Sequence, residues 1–314
     1  MITGSAVNEA AGNGGRLWNR AVEVGKMSVR EPAVAGMFYR AVGLREEVES
    51  CFLGPGGPGE LPSVNADGPR KLVGLVSPHA GYMYSGSVAA HAYYRLAEDG
   101  LPETAVLIGP NHRSSVPPIA LSDDTAWRTP LGEVLLDPDV AREITLAYPP
   151  AVIDRAAHRL EHSLEVQLPF LQYLTGAGTK IAPILIGASA RAAERGGALQ
   201  LVRKLGSAIA EALRDGNAVV IASTDFTHYE SSESAQAKDS RAISAILALD
   251  EEDLLSTVDA LDISMCGVMP TAVAIAACKE LGAVRAAKLA YRDSGDVTGD
   301  HREVVGYGAL AISR

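Results

Sequence analysis

Three histidines stand in the same local setting. His79 follows the apolar run Leu72–Val76 through Ser77-Pro78 and leads into Gly81 and Gly86. His112 follows Thr104–Gly109, TAVLIG, through Pro110-Asn111, and His228 follows Ala218–Ser223, AVVIAS, through Thr224-Asp225-Phe226-Thr227. Imidazole both ligates iron, copper or zinc and moves protons near neutral pH. A lone loop histidine is more often a hydrogen-bonded structural residue, and isolated motif matches are weak. Three in one context point to a shared site, with His79, His112 and a third ligand around one metal ion. His228 differs because Asp225, three residues earlier in the same turn, could orient its ring and raise its basicity, which suits a general acid or base. Cys266 precedes Gly267 at the start of an apolar helical run, where partial positive charge favours a thiolate. Cys278 inside that run and Cys51 in an earlier helix read as core.

A second constellation competes with the first. His158-Arg159-Leu160-Glu161-His162 matches the inverted zinc-peptidase motif H-x-x-E-H. On a helix, His158 and His162 share a face, with Glu165 three residues beyond. A zinc peptidase would also need a distal acidic ligand, for which Glu230 and Glu233 are the nearest candidates, and it leaves the strand-end histidines unexplained. The expectation is therefore that His162 alone approaches the cleft, while His158 sits at the periphery on a carboxylate or solvent. No G-x-S-x-G elbow supports a serine hydrolase.

The elements that must position these residues follow from the same runs. Short, nearly continuous apolar stretches are what strands buried on both faces need. A histidine just past the carboxyl end of such a strand sits where open α/β sheets bind ligands. If the three strands are parallel, all three histidines lie along one edge. Further strands are expected at Pro117–Ser122, Gly132–Leu136, Ile181–Gly187, Val284–Tyr291 and Val304–Ile312, with residues 127–132 as a turn. Helices are expected at Leu44–Leu53, Ser87–Glu98, 138–148, 158–165, 190–214, Ser234–Leu249, Glu252–Leu261 and Val268–Leu281. Residues 54–69, rich in Gly and Pro, form a long loop, either mobile or a lid. The fold class is α/β: a single domain over residues 28–314, a mixed and mostly parallel sheet with helices on both faces, preceded by a mobile leader over residues 1–27.

Composition narrows the function. The 314 residues are 47% apolar and 21% charged, which describes a globular chain with material for a large core. A net charge of −10 with no basic cluster argues against a nucleic-acid partner. No apolar run reaches the roughly 18 residues of a membrane span. Three cysteines, an odd and sparse set, suit a reducing cytoplasm.

Seven blocks carry a resemblance: SVREPAVAGMFY, SPHAGYMYSG, IGPNHRSS, EHSLEVQLPFLQ, ASTDFTHY, MCGVMPTAVA and SGDVTGD…VVGYGALAI. In this order, from about Val29 to the carboxyl end, they resemble the Memo family, most of all its prokaryotic branch, often labelled AmmeMemoRadiSam system protein B. The resemblance implies a fold similar to the class III, LigB-like extradiol dioxygenases, with a metal site in a cleft above the sheet. It puts the metal on His79, His112 and Cys266, sets Asp225 and His228 beside it, and has His162 line the cleft. The dioxygenases use two histidines and a carboxylate, so a cysteine in third place is a departure, and ring cleavage does not transfer with the fold. The implied cofactor is a divalent metal, iron(II) first, with copper and zinc as alternatives. The leading expectation is a mononuclear metal redox enzyme acting on a small substrate. Its rival is a non-catalytic metal- and peptide-binding protein that partners a radical-SAM enzyme and a small companion protein.

Overall fold

The computed structural model describes residues 28–114, 117–192, 197–214 and 216–314; the leader expected over residues 1–27 lies outside them. Nine strands form the main sheet: β1 (Leu72–Ser77), β2 (Thr104–Asn111), β3 (Ile119–Leu121), β4 (Val152–Ile153), β5 (Lys180–Gly187), β6 (Ala218–Ser223), β7 (His228–Glu230), β8 (Arg285–Asp293) and β9 (Val304–Ser313). Their order is β7–β9–β1–β6–β2–β5–β3–β4, with β8 antiparallel on β9. The centre, β1–β6–β2–β5, is parallel, so these four strands end along one edge.

Those central strands are buried along almost their whole length, as continuous apolar runs require. Alternation along each strand feeds two cores. Val106, Ile108, Val220 and Ala222 face one, with helices Pro138–Ala147, Gly197–Leu213, Ser232–Leu247, Glu251–Ala260 and Val268–Glu280. Ala105, Leu107, Val219 and Ile221 face the other, with helices Leu44–Leu53, Tyr82–Asp99 and Leu168–Thr175. The α/β expectation therefore holds, with helices on both faces of one mixed sheet. Loop 54–69 is tied along helix Tyr82–Asp99: the Asn65 amide donates to the Ala97 carbonyl at 2.9 Å, and His91 Nε2 to the Gly56 carbonyl at 3.0 Å.

Two local expectations are corrected. Residues 127–132 are not only a turn, because Ala126–Thr129 is a strand. It pairs with Gly132–Leu135 and with Val29–Arg30 in a separate three-stranded sheet. Trp127 is buried there beneath the Arg30 guanidinium, 4.4 Å from its ring centroid, and burying an indole outweighs the turn propensity of the prolyl segment that follows.

The second correction concerns residues 158–165, which do not form one helix. A short helix, Arg155–His158, is capped by Asp154; the chain then turns through 159–164 into the single turn Glu165–Gln167 and helix Leu168–Thr175. Arg30 holds that turn. Its buried guanidinium donates Nε to the His158 carbonyl at 2.7 Å, Nη2 to the Glu161 carbonyl at 2.6 Å and Nη1 to Glu165 Oε2 at 2.7 Å. Glu165 also accepts the Ala33 and Val34 amides and the Tyr39 hydroxyl. A guanidinium fan therefore replaces a helical ladder.

The turn carries His158 inward instead of to the periphery. Its ring is fully buried, edge-on to Trp127, with Nε2 donating to the Ala120 carbonyl at 3.2 Å. Neither a carboxylate nor solvent pairs with it, and among the described residues it belongs to no metal-binding group. Burial, then the Arg30 charge, push its pKa from 6.5 down to about 3. The unfolded chain therefore binds this proton more readily than the folded one across that window, and stability falls as pH drops through it. At about 1.4 kcal/mol per pKa unit, the loss reaches several kcal/mol. Chemical denaturation of wild type and His158→Gln at a series of pH values should show the gap between the two curves narrowing toward acid. Parallel curves would mean that His158 does not titrate in this way.

Candidate metal centre

The ends of the parallel strands build the site. His79 follows β1 through Pro78, and its backbone N–H donates to Asp225 Oδ1 at 2.8 Å. His112 follows β2 directly. Between them, β6 ends at Ser223, so the groups it offers at this edge are Ser223 and Asp225. His228 has moved on to β7, beside β9. The expected convergence of three strand-end histidines thus holds for two, and the third imidazole comes from the turn that Arg30 fixes. That turn lies against β2 because Gly109 leaves no room for a Cβ against Ser163 and Leu164, and Ser163 Oγ donates to the Pro110 carbonyl at 2.8 Å.

The ligand atoms of His79, His112 and His162 all lie within 4.8 Å of one another. The His112 and His162 rings stack at 4.7 Å between centroids, His79 stands edge-on to both, and Phe38 covers His162 at 4.6 Å. Hydrogen bonds fix the tautomers. Ser223 Oγ donates its one proton to the Ser163 carbonyl at 2.6 Å and accepts from Gln167 at 2.8 Å. Toward His79 Nδ1, 3.0 Å away, it can therefore only accept, which leaves Nε2 as that ring's lone pair. His112 Nδ1 donates to Glu161 Oε1 at 3.0 Å, so its Nε2 is free as well. His162 Nδ1 lies 3.2 Å from the same oxygen, outside hydrogen-bond geometry.

Electrostatics agree with ligation. Burial, reinforced by His112 and His162, holds the His79 pKa well below its ordinary value, so the ring is neutral. Burial alone would raise Glu161, but hydrogen bonds from the His112 ring and the Ser163 amide more than offset it and keep the carboxylate well below the usual range. An imidazole whose other nitrogen is held by a carboxylate or hydroxyl, as His112 and His79 are here, is the usual arrangement of a metal-ligating histidine. This donor set fits a borderline divalent ion such as iron, copper or zinc.

Cys266 adjoins the group through His79. Its Sγ lies 3.2 Å from His79 Nε2 and accepts the Asp225 amide at 3.3 Å. It reaches the end of β6 because Gly267 leaves no space for a Cβ beside Thr224 and the Ser223 carbonyl. The thiolate expected at this helix start is outweighed: burial, then the neighbouring Asp225, push the thiol pKa well above the ordinary range. Asp225 is itself raised by burial, against the pull of the His79 N–H.

Asp225 faces His79, 3.9 Å from Nε2, whereas His228 Nδ1 donates to the Ser264 carbonyl at 2.9 Å. The group that orients His228 is therefore Ser264. It also accepts the His228 amide through Oγ at 2.7 Å. Tyr229, immediately after, is held at φ +60°, a costly conformation for a bulky residue. The peptidase alternative loses its geometry: His158 faces the interior, Glu161 is spent on His112 and His162, and Glu230 pairs with Lys238 at 2.7 Å.

Sequence reasoning missed Ser223, Gln167 and Phe38 and misread Glu161. The local signal for Glu161 was its place beside His162 in the EHS block, obscured by the helix reading.

A family model described as Memo-like protein matches residues 30–311. A MEMO1 family protein of Methanopyrus kandleri is 47% identical over 289 residues, 91% of this chain and 99% of its own length. One of Methanothermobacter thermautotrophicus is 44% identical over 90% of this chain and the whole of its own. Among solved structures, an uncharacterised protein of Escherichia coli K12 superposes with TM-score 0.53 over 77% of this chain and all of its own, at 12% identity, a likeness of fold alone. With the family model spanning nearly every described element and relatives this similar along almost the full chain, the chain belongs to the Memo family.

Proposed function

We propose that the chain is a mononuclear, metal-dependent redox enzyme, iron(II) being the metal, which acts on a small organic substrate in the cleft at the strand ends. The observation that carries this reading is the pair of tautomer-fixed imidazoles, His79 and His112, with His162 stacked beside them and one buried carboxylate behind two of the three rings. The metal-holding residues in this reading are His79, His112 and His162, with Cys266 next to His79 as a soft and oxidisable donor. When bound, the metal supplies electrons and open coordination positions for substrate and dioxygen.

The chain's own groups do the rest. Glu161 orients the His112 ring and holds the His162 backbone amide, and Ser223 orients His79. Asp225 fixes the His79 backbone and adds negative potential next to Cys266. His228, with Nδ1–H committed to Ser264, presents Nε2 to take a proton from substrate. In the rival reading the same cleft captures a peptide or companion protein without turnover. Oxygen uptake by iron-loaded protein against a panel of catechols and small phenols separates the two: substrate-dependent uptake supports the enzyme, and none across the panel at full iron occupancy sinks it.

Three further outcomes are expected. Glu161→Gln keeps the size but removes the charge, and changing such an outer partner typically weakens metal binding about 10- to 100-fold; elemental analysis at fixed chelator checks it. By the same assay His162→Ala should lose more metal than Cys266→Ala, and the reverse order would give third place to the cysteine. His228→Ala should keep its metal while oxygen uptake falls by about 10²- to 10⁴-fold, the usual loss with a positioned base. Unchanged turnover in that variant would remove its role.

A further inference from the structure

Tyr307 lies on β9, which runs antiparallel to β1 with Leu310 opposite Val76 and Ala311 opposite Leu75. Carried back from Leu310 to Tyr307 and on from Val76 to His79, the same register brings these two level. The Phe226 amide donates to the Gly306 carbonyl at 2.8 Å and the Gly306 amide to the Thr227 carbonyl at 2.9 Å, so the turn that carries Asp225 runs beside Tyr307. The Tyr307 ring packs in the same core as Leu75 and Tyr82, and Asp225 is the strongest charge acting on its phenol. Only 2% of the residue is exposed, yet its hydroxyl makes no hydrogen bond. Among the described residues, the unpaired side-chain atoms sealed from solvent belong to Ser77, Asp99, Asn111, Trp127, His158 and His162. The Tyr307 hydroxyl is not one of them, so the small area that this residue exposes lies at its hydroxyl. Asp225, 4% exposed, repeats the pattern. Its Oδ1 accepts the His79 N–H, while Oδ2, 3.9 Å from His79 Nε2, makes no hydrogen bond and is not sealed either. A donor and an acceptor, both on nearly buried residues and both unpaired, thus open beside the ring nitrogen of His79. Few such groups persist in a folded protein without a reason.

We propose that Tyr307 is a specificity-determining residue of the cleft and that, with Asp225, it holds a hydroxyl group of a small organic substrate. The Tyr307 hydroxyl donates to the oxygen of that group, and Asp225 Oδ2 accepts from its O–H. The inference rests on the reading of the cleft as a substrate site and adds the substrate's polar group and its place, on the β9 side of His79. Burial, then Asp225, push the Tyr307 pKa well above the ordinary range, so the phenol keeps its proton and remains a donor. A carboxylate oxygen accepts, and a hydroxyl both accepts and donates, so one hydroxyl satisfies the two groups together. An ether would satisfy Tyr307 and leave Asp225 unpaired; a hydrocarbon of the same shape would leave both. Phe38, which covers His162, and Tyr84 both adjoin Gly81 and offer aromatic surface to the rest of the molecule.

The test titrates benzyl alcohol, anisole and ethylbenzene, which are matched in size, into the metal-loaded full chain by ligand-observed NMR. Each net hydrogen bond is worth about fivefold in affinity, and one to a carboxylate about tenfold or more. Anisole should therefore bind about fivefold more tightly than ethylbenzene, and benzyl alcohol about tenfold more tightly again. Tyr307→Phe removes only the hydroxyl and should bring anisole level with ethylbenzene. Because that hydroxyl has no partner in the fold, the variant should unfold at the same temperature as wild type. Asp225→Asn keeps an oxygen for the His79 N–H but turns the second acceptor into a donor, and should close the gap between benzyl alcohol and anisole. Absent or equal binding of the three probes to wild type, an undiminished preference for anisole in Tyr307→Phe, or a clearly lowered unfolding temperature in that variant would each overturn the assignment. Metal content and oxygen uptake on the same samples keep the two readings apart. Tyr307-dependent discrimination without metal-dependent turnover retains the hydroxyl site and discards the enzyme. Turnover without such discrimination discards the hydroxyl site alone.

Discussion

Glu161 is 1% exposed and accepts the amides of His112, His162 and Ser163 at 2.6, 2.8 and 2.9 Å, besides the His112 ring at 3.0 Å. A carboxylate buried without such donors would lose far more in hydration than the fold could return. With them it becomes the point where two chain segments, otherwise about fifty residues apart, are fixed to each other. Both the end of β2 and the turn after His158 take their positions from this one group. The stacking of His112 on His162 follows from the attachment, because both rings sit over the same oxygen.

Glu161 keeps its place only because the turn that carries it is held from behind. Arg30 and Glu165 form a second buried charged pair, and their spare donors and acceptors are filled by backbone at 158, 161, 33 and 34 and by Tyr39. The two polar knots act in series: the amino-terminal segment grips the turn, and the turn grips the strand end. Gln167, at the far end of the same turn, reaches the Pro78 carbonyl and Ser223 Oγ and so adds the ends of β1 and β6. Every strand that contributes to the cluster is therefore joined to one short segment by hydrogen bonds in a dry environment, where such bonds are strong and their loss is expensive.

Much of the sheet was legible because fully buried parallel strands write themselves as uninterrupted apolar runs. Ala218–Ser223 has the same limits in sequence and structure, and β2 and β5 differ from expectation by two residues or fewer. His79 and His112 were legible for the same reason, since their positions depend only on where a strand stops. His228 was misplaced relative to them because the Thr224–Thr227 turn carries it away from the end of β6 to pair beside β9, a tertiary choice that no local pattern records. The failure over 158–165 has one cause. Helical spacing describes a local ladder, whereas Arg30, more than a hundred residues earlier, decides what those carbonyls bind. Asp225 likewise turns to His79, a neighbour in space, and leaves His228 to the Ser264 carbonyl.

The position of Cys266 shows how the same packing governs the chemistry available to it. With Nδ1–H of His79 given to Ser223, Nε2 can only accept, and the thiol 3.2 Å away is the donor that reaches it. Burial and Asp225 both favour that protonated form. A metal on His79 Nε2 would compete for the lone pair that the thiol now occupies, so loading the site and freeing the sulfur become one event. Ligand deprotonation of this kind makes affinity rise with pH. A buried cysteine beside His79 therefore offers more than softness: in the reading that places a metal on His79, loading would displace the thiol proton from that ring nitrogen.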